Sequence, residues 1–441
     1  MTLSKDRKIR SLHSKIGCGA GVALCEGSSM VFSLAPIGPV LLGVALAQCA
    51  LGLMTTLIPL LLLQQGVPTE LIGLVASAYF LGFLAGALNA ARIVAAVGHI
   101  RAFTVFAAVA AMTAQLLVFT TAPWAVALTR IFMGFASSGL FLVAESWLND
   151  RADHSTRGRF FGAYQVVNWG AVAAGPLLLS ITPPRATLFA VVGAAFAAAL
   201  LPMALTRRPN PEMTERRRLG LVRLFRISPV GVACCGASGL LNSAFYALIP
   251  VYLGRKGLPA DAISGFASAV MVAALVVQYP LGMLADRIER RRLTLVILLL
   301  ATLAALGIVL LAGDDIWIIG GLGCLMAATM SPLYGLGAGQ TNDRLERGDY
   351  VAAAGGLLFT WSVGAAIGPS LAGLLMGQIG PTGLFVYLIA ALVLVAGFVM
   401  LRMIWRAEVP LDQQSGFVPA GAAPPRLAEL ASRAIKPRRS R

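Results

Sequence analysis

The chain has 441 residues, 58% of them hydrophobic and only 12% charged, with a mean hydropathy of +0.81. That composition excludes an ordinary soluble globular domain and describes a polytopic membrane protein. The net charge of +16 would suit a nucleic-acid partner if it formed one patch, but it is dispersed over many loops, so nucleic acid is not an expected partner and anionic membrane lipid is.

Residues 1–35 carry Lys5, Arg7, Lys8, Arg10 and Lys15 ahead of a weakly apolar, Gly-rich stretch too short for a span. They are expected to be a disordered N-terminal tail, with Met30 as an alternative start. Twelve apolar runs then follow, near 37 to 63, 69 to 92, 101 to 121, 124 to 148, 159 to 181, 185 to 205, 228 to 252, 260 to 285, 292 to 312, 315 to 339, 350 to 378 and 382 to 404. Each is about the 20 residues that a helix needs to cross a bilayer, and none alternates as barrel strands do. Residues 206–227 hold seven arginines, and their second part sets Leu219, Val222, Leu224 and Phe225 among them, the make-up of a basic amphipathic helix lying on a leaflet. This linker divides a six-span bundle at 36–205 from another at 228–404, and residues 405–441 form a Pro-rich basic tail expected to be disordered.

Of the 35 Lys and Arg residues, 31 fall in the termini or the even-numbered loops, three (Arg185, Arg255, Lys256) at odd-numbered loops, and one, Arg130, inside a span. This bias predicts both termini in the cytoplasm. The six cysteines form no C-x-x-C pair, and the three histidines show no metal-ligand spacing. No P-loop, G-x-S-x-G elbow or metalloprotease signature occurs, so no enzyme activity, cofactor or metal is expected.

The two halves repeat each other. "IPLLLLQQGVPTELI" at 58 to 72 and "IPVYLGRKGLPADAI" at 249 to 263 share Ile, Pro, Gly, Pro and Ile at an offset of 191, and "GAYQVVNWGAVAAGP" at 162 to 176 matches "GGLLFTWSVGAAIGP" at 355 to 369 at an offset of 193. A parallel repeat of six spans is an architecture of secondary transporters.

From about 37 to 404 the chain resembles the major facilitator superfamily, and "VAESWLNDRADHSTRGRFFGAY" is similar to its YcaD-like bacterial branch. The superfamily's G-x-L-a-D-R-x-G-R-R stands as Gly282, Leu284, Ala285, Asp286, Arg287, Arg290 and Arg291, with Glu289 in place of the second Gly, while the N-half copy keeps Gly98 and has Ala95 and Ala96 where the charges belong. R-x-x-x-G appears as Arg130 and Gly134. G-x8-G-x3-G-P fits Gly355, Gly364, Gly368 and Pro369, and the span-five version, with Ala171 in the middle place, ends on Gly175-Pro176. The resemblance implies an all-α fold of two six-helix bundles, an alternating-access carrier in the bacterial inner membrane, a monomer, and a gate in which Asp286 latches the cytoplasmic side near Arg157 and Arg159. Glu145 is expected to join that gate by pairing with Arg157 or Arg159, with proton carriage as the alternative. Arg130 serves either binding and coupling or helix-to-helix bonding. The glycines and prolines named serve close packing and bending, and the span-five pattern leans to efflux. In such a fold, Gln48, Thr55, Arg130, Asn168, Trp169, Asn242, Tyr246, Gln278, Tyr334 and Trp361 become cavity candidates. The reading is a secondary transporter of an unidentified small solute coupled to a proton or other ion. A transport-dead receptor on the same fold and an uncoupled facilitator remain the alternatives.

Overall fold

The computed structural model describes residue 34 and residues 37–152, 156–181, 185–205, 220–313, 315–345 and 349–405. The tails and most of the linker expected from the sequence lie outside the described residues. The N-half helices are α1 (Gly38–Gln64), α2 (Thr69–Val97), α3 (His99–Phe119), α4 (Pro123–Arg151), α5 (Arg157–Ile181) and α6 (Arg185–Ala204). A short α7 (Leu221–Ile227) precedes α8 (Pro229–Arg255), α9 (Ala260–Ala285), α10 (Arg290–Leu311), α11 (Ile316–Met330), α12 (Leu333–Asn342), α13 (Tyr350–Ile379) and α14 (Gly383–Trp405). Helices suit this sequence because lipid offers no partner to a backbone amide, so each apolar run must satisfy its own. Among the described residues, eleven stretches are long and apolar enough to cross a membrane, the pair α11 and α12 forming one of them. The 25 residues of α5, set between α1 and α9, occupy the remaining place.

The repeat seen in the sequence is a repeat of backbone. Gly66 and Gly257 have φ of 73° and 78°, the left-handed conformation that glycine adopts without strain, and both lead into a Pro that stands just ahead of the next helix. Pro59 and Pro250 lie inside α1 and α8 at matching places. Of the short basic helix, α7 leaves Val222 and Phe225 exposed while Leu224 is buried. Its Arg223 reaches Asp349 at 3.7 Å, next to the start of α13.

One span departs from expectation. Residues 315 to 339 read as a continuous helix, but the chain breaks at Ser331-Pro332 into α11 and α12. Proline has no N–H to give and its ring crowds the preceding turn. Polar side chains from neighbouring spans meet the break: Asn242 donates to the Met330 carbonyl at 3.2 Å and Gln278 to the Ser331 hydroxyl at 3.3 Å.

Two bundles of six spans face each other, with α2 against α13, α5 against α9 and α1 against α8. Contacts between them gather toward the face that carries the odd-numbered loops. Ser77 and Ser370 hydroxyls are 2.7 Å apart, as are Ser180 and Ser264. Gly73 lies against Pro369 and Gly373, and Gly254 against Leu60 and Leu63. Toward the other face, the ends of α2 and α9 are exposed at Leu88, Arg92, Ala95, Ala96, Met283 and Asp286.

Candidate functional site

Glycine sets the distances at which the cavity walls are held. A Cβ on Gly134 would run into the Tyr79 carbonyl, and one on Gly82 into that of Ile131, so α2 and α4 touch backbone to backbone. Gly175 does the same against Cys49 on α1, and Gly364 and Gly368 against Gly236 and Leu240 on α8. Pro176 and Pro369 lie inside α5 and α13, whose helices continue through them. Gly134, Gly175, Gly364 and Gly368 thus sit at close contacts between helices.

Between the bundles lies a cavity of about 260 Å³. Of the ten cavity candidates, nine line it: Gln48, Thr55, Arg130, Asn168, Trp169, Asn242, Tyr246, Tyr334 and Trp361. Gln278 does not, and its expected role is corrected to that of a brace on the span-ten break. Polarity in mid-span carries no sign of whether a ligand or a broken backbone needs it. Gln48 donates to Asn168 across α1 and α5. The rest of the wall is mostly aliphatic, as at Leu51, Ile58, Val75 and Met271, and adds the rings of Tyr79, Phe80, Phe141 and Tyr164; Trp361 meets Phe80 and Phe83 edge-on across the two halves.

Two charged residues face this space. Arg130 is 6% exposed, and its guanidinium stands 4.5 Å over the Tyr79 ring, with Met133 sulfur at 3.7 Å. Its Nε has no hydrogen-bond partner, and no carboxylate among the described residues lies within ion-pair distance of it. Glu145, expected at a gate near the end of its span, is a member of the cavity wall, 4% exposed, and accepts from the Tyr164 hydroxyl at 3.2 Å. The two lie fifteen positions apart on α4, about 22 Å along its axis at about 1.5 Å per residue, so the cavity is charged oppositely at its two ends. Arg159 is exposed, and the side chain of Arg157 lies outside the described residues.

The motif cluster forms a second charged site. Gly282 and Ala285 are buried in α9, while Asp286 and Arg287 are exposed. Arg290 is 2% exposed and both Asp343 oxygens accept from its Nη1 at 2.7 Å, with Asp286 at 3.6 Å. Arg290, for which the sequence leaves a topology anchor and a part in the gate as alternatives, is buried inside the protein, stacked over Gly339, which has no side chain to obstruct it. Glu289, the departure from the motif, pairs with Arg291 at 2.6 Å and Arg292 at 2.9 Å. Asp343 was missed by the sequence reading. Its signal was the "ND" at 149–150 and 342–343, which the offset of 193 brings into register.

Comparison with known proteins agrees with this architecture. The sequence model of the Major Facilitator Superfamily matches residues 40–336 and 260–439. The chain is 29% identical over 384 residues to an uncharacterized MFS-type transporter of Enterobacter sp. (strain 638), covering 85% of this chain and 98% of that one. It is 28% identical over 383 residues to the uncharacterized MFS-type transporter YcaD of Salmonella typhi, covering 85% and 98%. In fold it is similar to the nucleoside transporter NupG, with a TM-score of 0.70 at 13% identity over 83% of this chain and 99% of that one. It is also similar to a bacterial homolog of the human lysosomal transporter Spinster, captured inward-facing and occupied, with a TM-score of 0.68 at 15% identity over 87% and 98%.

Proposed function

The chain belongs to the Major Facilitator Superfamily of membrane transporters, and on that premise we propose that it is a secondary transporter moving a small solute by alternating access. The observation that carries this reading is the cavity between the two bundles, whose mutual contacts gather on the odd-loop face. A carrier of two bundles rocks about such a site, and each conformer is sealed on one side. The basic even-numbered loops support an inner-membrane protein with both termini in the cytoplasm, which makes this conformer inward-facing.

Glu145 is the carboxylate among the described cavity residues, and we assign it the proton of a proton-coupled cycle, with Tyr164 holding its orientation. Ionisable residues that face a cavity within a membrane are costly to keep and serve relays and coupling. Export is the direction we assign, and it rests on the Gly175-Pro176 pattern of span five. The solute binds as a monomer's ligand, without nucleotide hydrolysis.

The test uses the odd-face seal. With Ser77→Cys and Ser370→Cys in one chain, oxidation should join the halves, because the native hydroxyls already touch. Transport in proteoliposomes should stop on cross-linking and return on reduction. Formation of the disulfide without effect on transport would sink the alternating-access reading.

A further inference from the structure

The cavity holds a buried cation without an anion. Arg130 lines it at 6% exposure, its Nε has no partner, and no carboxylate among the described residues lies within ion-pair reach. The guanidinium remains charged at any physiological pH, and a charge held in such surroundings requires a counterpart. The Tyr79 ring stabilises one face of it but supplies no acceptor in the guanidinium plane. Two further polar atoms in the cavity wall, Trp169 Nε1 and Tyr246 Oη, also lack hydrogen-bond partners.

We propose that the transported solute is an organic monocarboxylate with an aromatic or otherwise apolar body, its carboxylate bound by Arg130 at the sealed end of the cavity. This rests on the transporter reading above and names its substrate class. A planar carboxylate matches the guanidinium fork with two parallel hydrogen bonds. The single charge follows from the lining: Arg130 is the one Lys or Arg among the described cavity residues, so a phosphate ester carrying close to two negative charges would keep one unmatched. The apolar body follows from the rings of Phe80, Phe141, Trp169, Tyr246 and Trp361 in the remaining wall, whose one other charge, Glu145, is itself an anion. Glu145, about 22 Å away along α4, lies too far off to neutralise Arg130 and leaves the anion only one end at which to bind. Because the halves meet on the odd-loop side beyond Arg130, the acid enters from the even-loop mouth and leaves only when that seal opens.

The experiment measures binding to the full chain in detergent by quenching of tryptophan fluorescence and by thermal shift. The probes are benzoate, salicylate, 1-naphthoate and indole-3-acetate, each paired with its carboxamide. Each pair has nearly one shape and differs in charge, so the comparison needs no variant. At least one acid should bind at least about tenfold tighter than its amide, as expected for a charge-assisted bidentate contact. Arg130→Gln should remove that preference, and Arg130→Lys should retain part of it, with folding of each checked by a monodisperse peak. Equal binding of acid and amide, no binding of any acid, or an acid preference that survives Arg130→Gln would overturn the proposal. Chloride competing as well as the acids at equal concentration would also overturn it. Counterflow of the bound acid in proteoliposomes separates the two readings: selective binding without counterflow removes the transporter and leaves the anion site, whereas cross-link-sensitive transport of another solute does the reverse.

Discussion

Replacing Asp343 with Asn tests whether the motif cluster is a solvated anchor or a buried lock. Arg290 is 2% exposed and Asp343 5%, with both carboxylate oxygens at 2.7 Å from one guanidinium nitrogen. At an effective dielectric of about 20, unit charges at this separation attract by about 6 kcal/mol, which is offset by several kcal/mol of lost hydration for each ion. The intact pair is therefore nearly neutral for stability, whereas a broken one is not. Asp343→Asn leaves Arg290 charged inside the protein, at a cost of about 3 to 5 kcal/mol. Asp286, 3.6 Å away and 42% exposed, compensates in part and moves the expectation to the lower end. The double variant Arg290→Met with Asp343→Leu removes both charges and keeps the volume, so it should recover most of the loss.

The assay is unfolding of the purified chain in micelles of rising SDS fraction, followed by tryptophan fluorescence, together with the temperature at which the monodisperse peak halves. The single variant should unfold at clearly lower SDS and several degrees earlier, with the double variant between it and the parent. A single variant indistinguishable from the parent would return Arg290 to the role of a surface anchor. A double variant as unstable as the single one would show that the penalty does not come from an unpaired buried charge.

Three further outcomes are expected. Asp286→Asn should favour the inward-facing conformer by about 1.5 to 3 kcal/mol, read as faster thiol labelling of a cysteine placed at Ala163 and as slower transport; unchanged labelling with intact transport would leave Asp286 no gating role. Glu145→Gln should lower proton-driven transport at least about tenfold while counterflow exchange persists, and equal loss of both would assign Glu145 to solute binding. Gly134→Ala should cost about 1 to 3 kcal/mol by forcing α4 off the Tyr79 carbonyl, and should weaken acid binding as the ring leaves Arg130; normal stability and binding would mean that the α2–α4 contact yields freely.

Much of the fold could be read in advance because lipid allows so few solutions. The apolar runs marked the spans to within a few residues, and the offset of 191 between Gly66 and Gly257 marked the halves, since both glycines make the same left-handed turn. The break in span ten was not legible, because Pro59, Pro176 and Pro369 all sit inside helices that continue through them. What distinguishes Pro332 is tertiary, the amides of Asn242 and Gln278 arriving from two other spans. The site was legible as a set of polar residues and illegible as a polarity. Glu145, placed near a span end, gave no sign of lining the same space as Arg130, and nothing in the sequence singled out Tyr79 and Tyr164, which contact these two.

The repeat exposes a division of labour between the halves. Span four carries Arg130 and Glu145 into the cavity, whereas the register that brings Asp150 onto Asp343 sets Gly323 and Ala338 at the corresponding places of span ten. At the even-loop ends the asymmetry reverses: the C-half keeps Asp286, Arg290 and Asp343, while Ala95 and His99 stand where the N-half would hold the first two. A charge that attracts a solute and a charge that seals a half against water make opposite demands, since one must lack a counter-ion of its own and the other must hold one, as Arg290 holds Asp343. Duplicated halves that each carried both would give the carrier two competing ligand ends and two latches. Placing the unsatisfied cation in one half and the paired cluster in the other leaves a single site with a defined sealed end. It also leaves span ten, relieved of charge, free to break at Ser331-Pro332 beside the cavity wall.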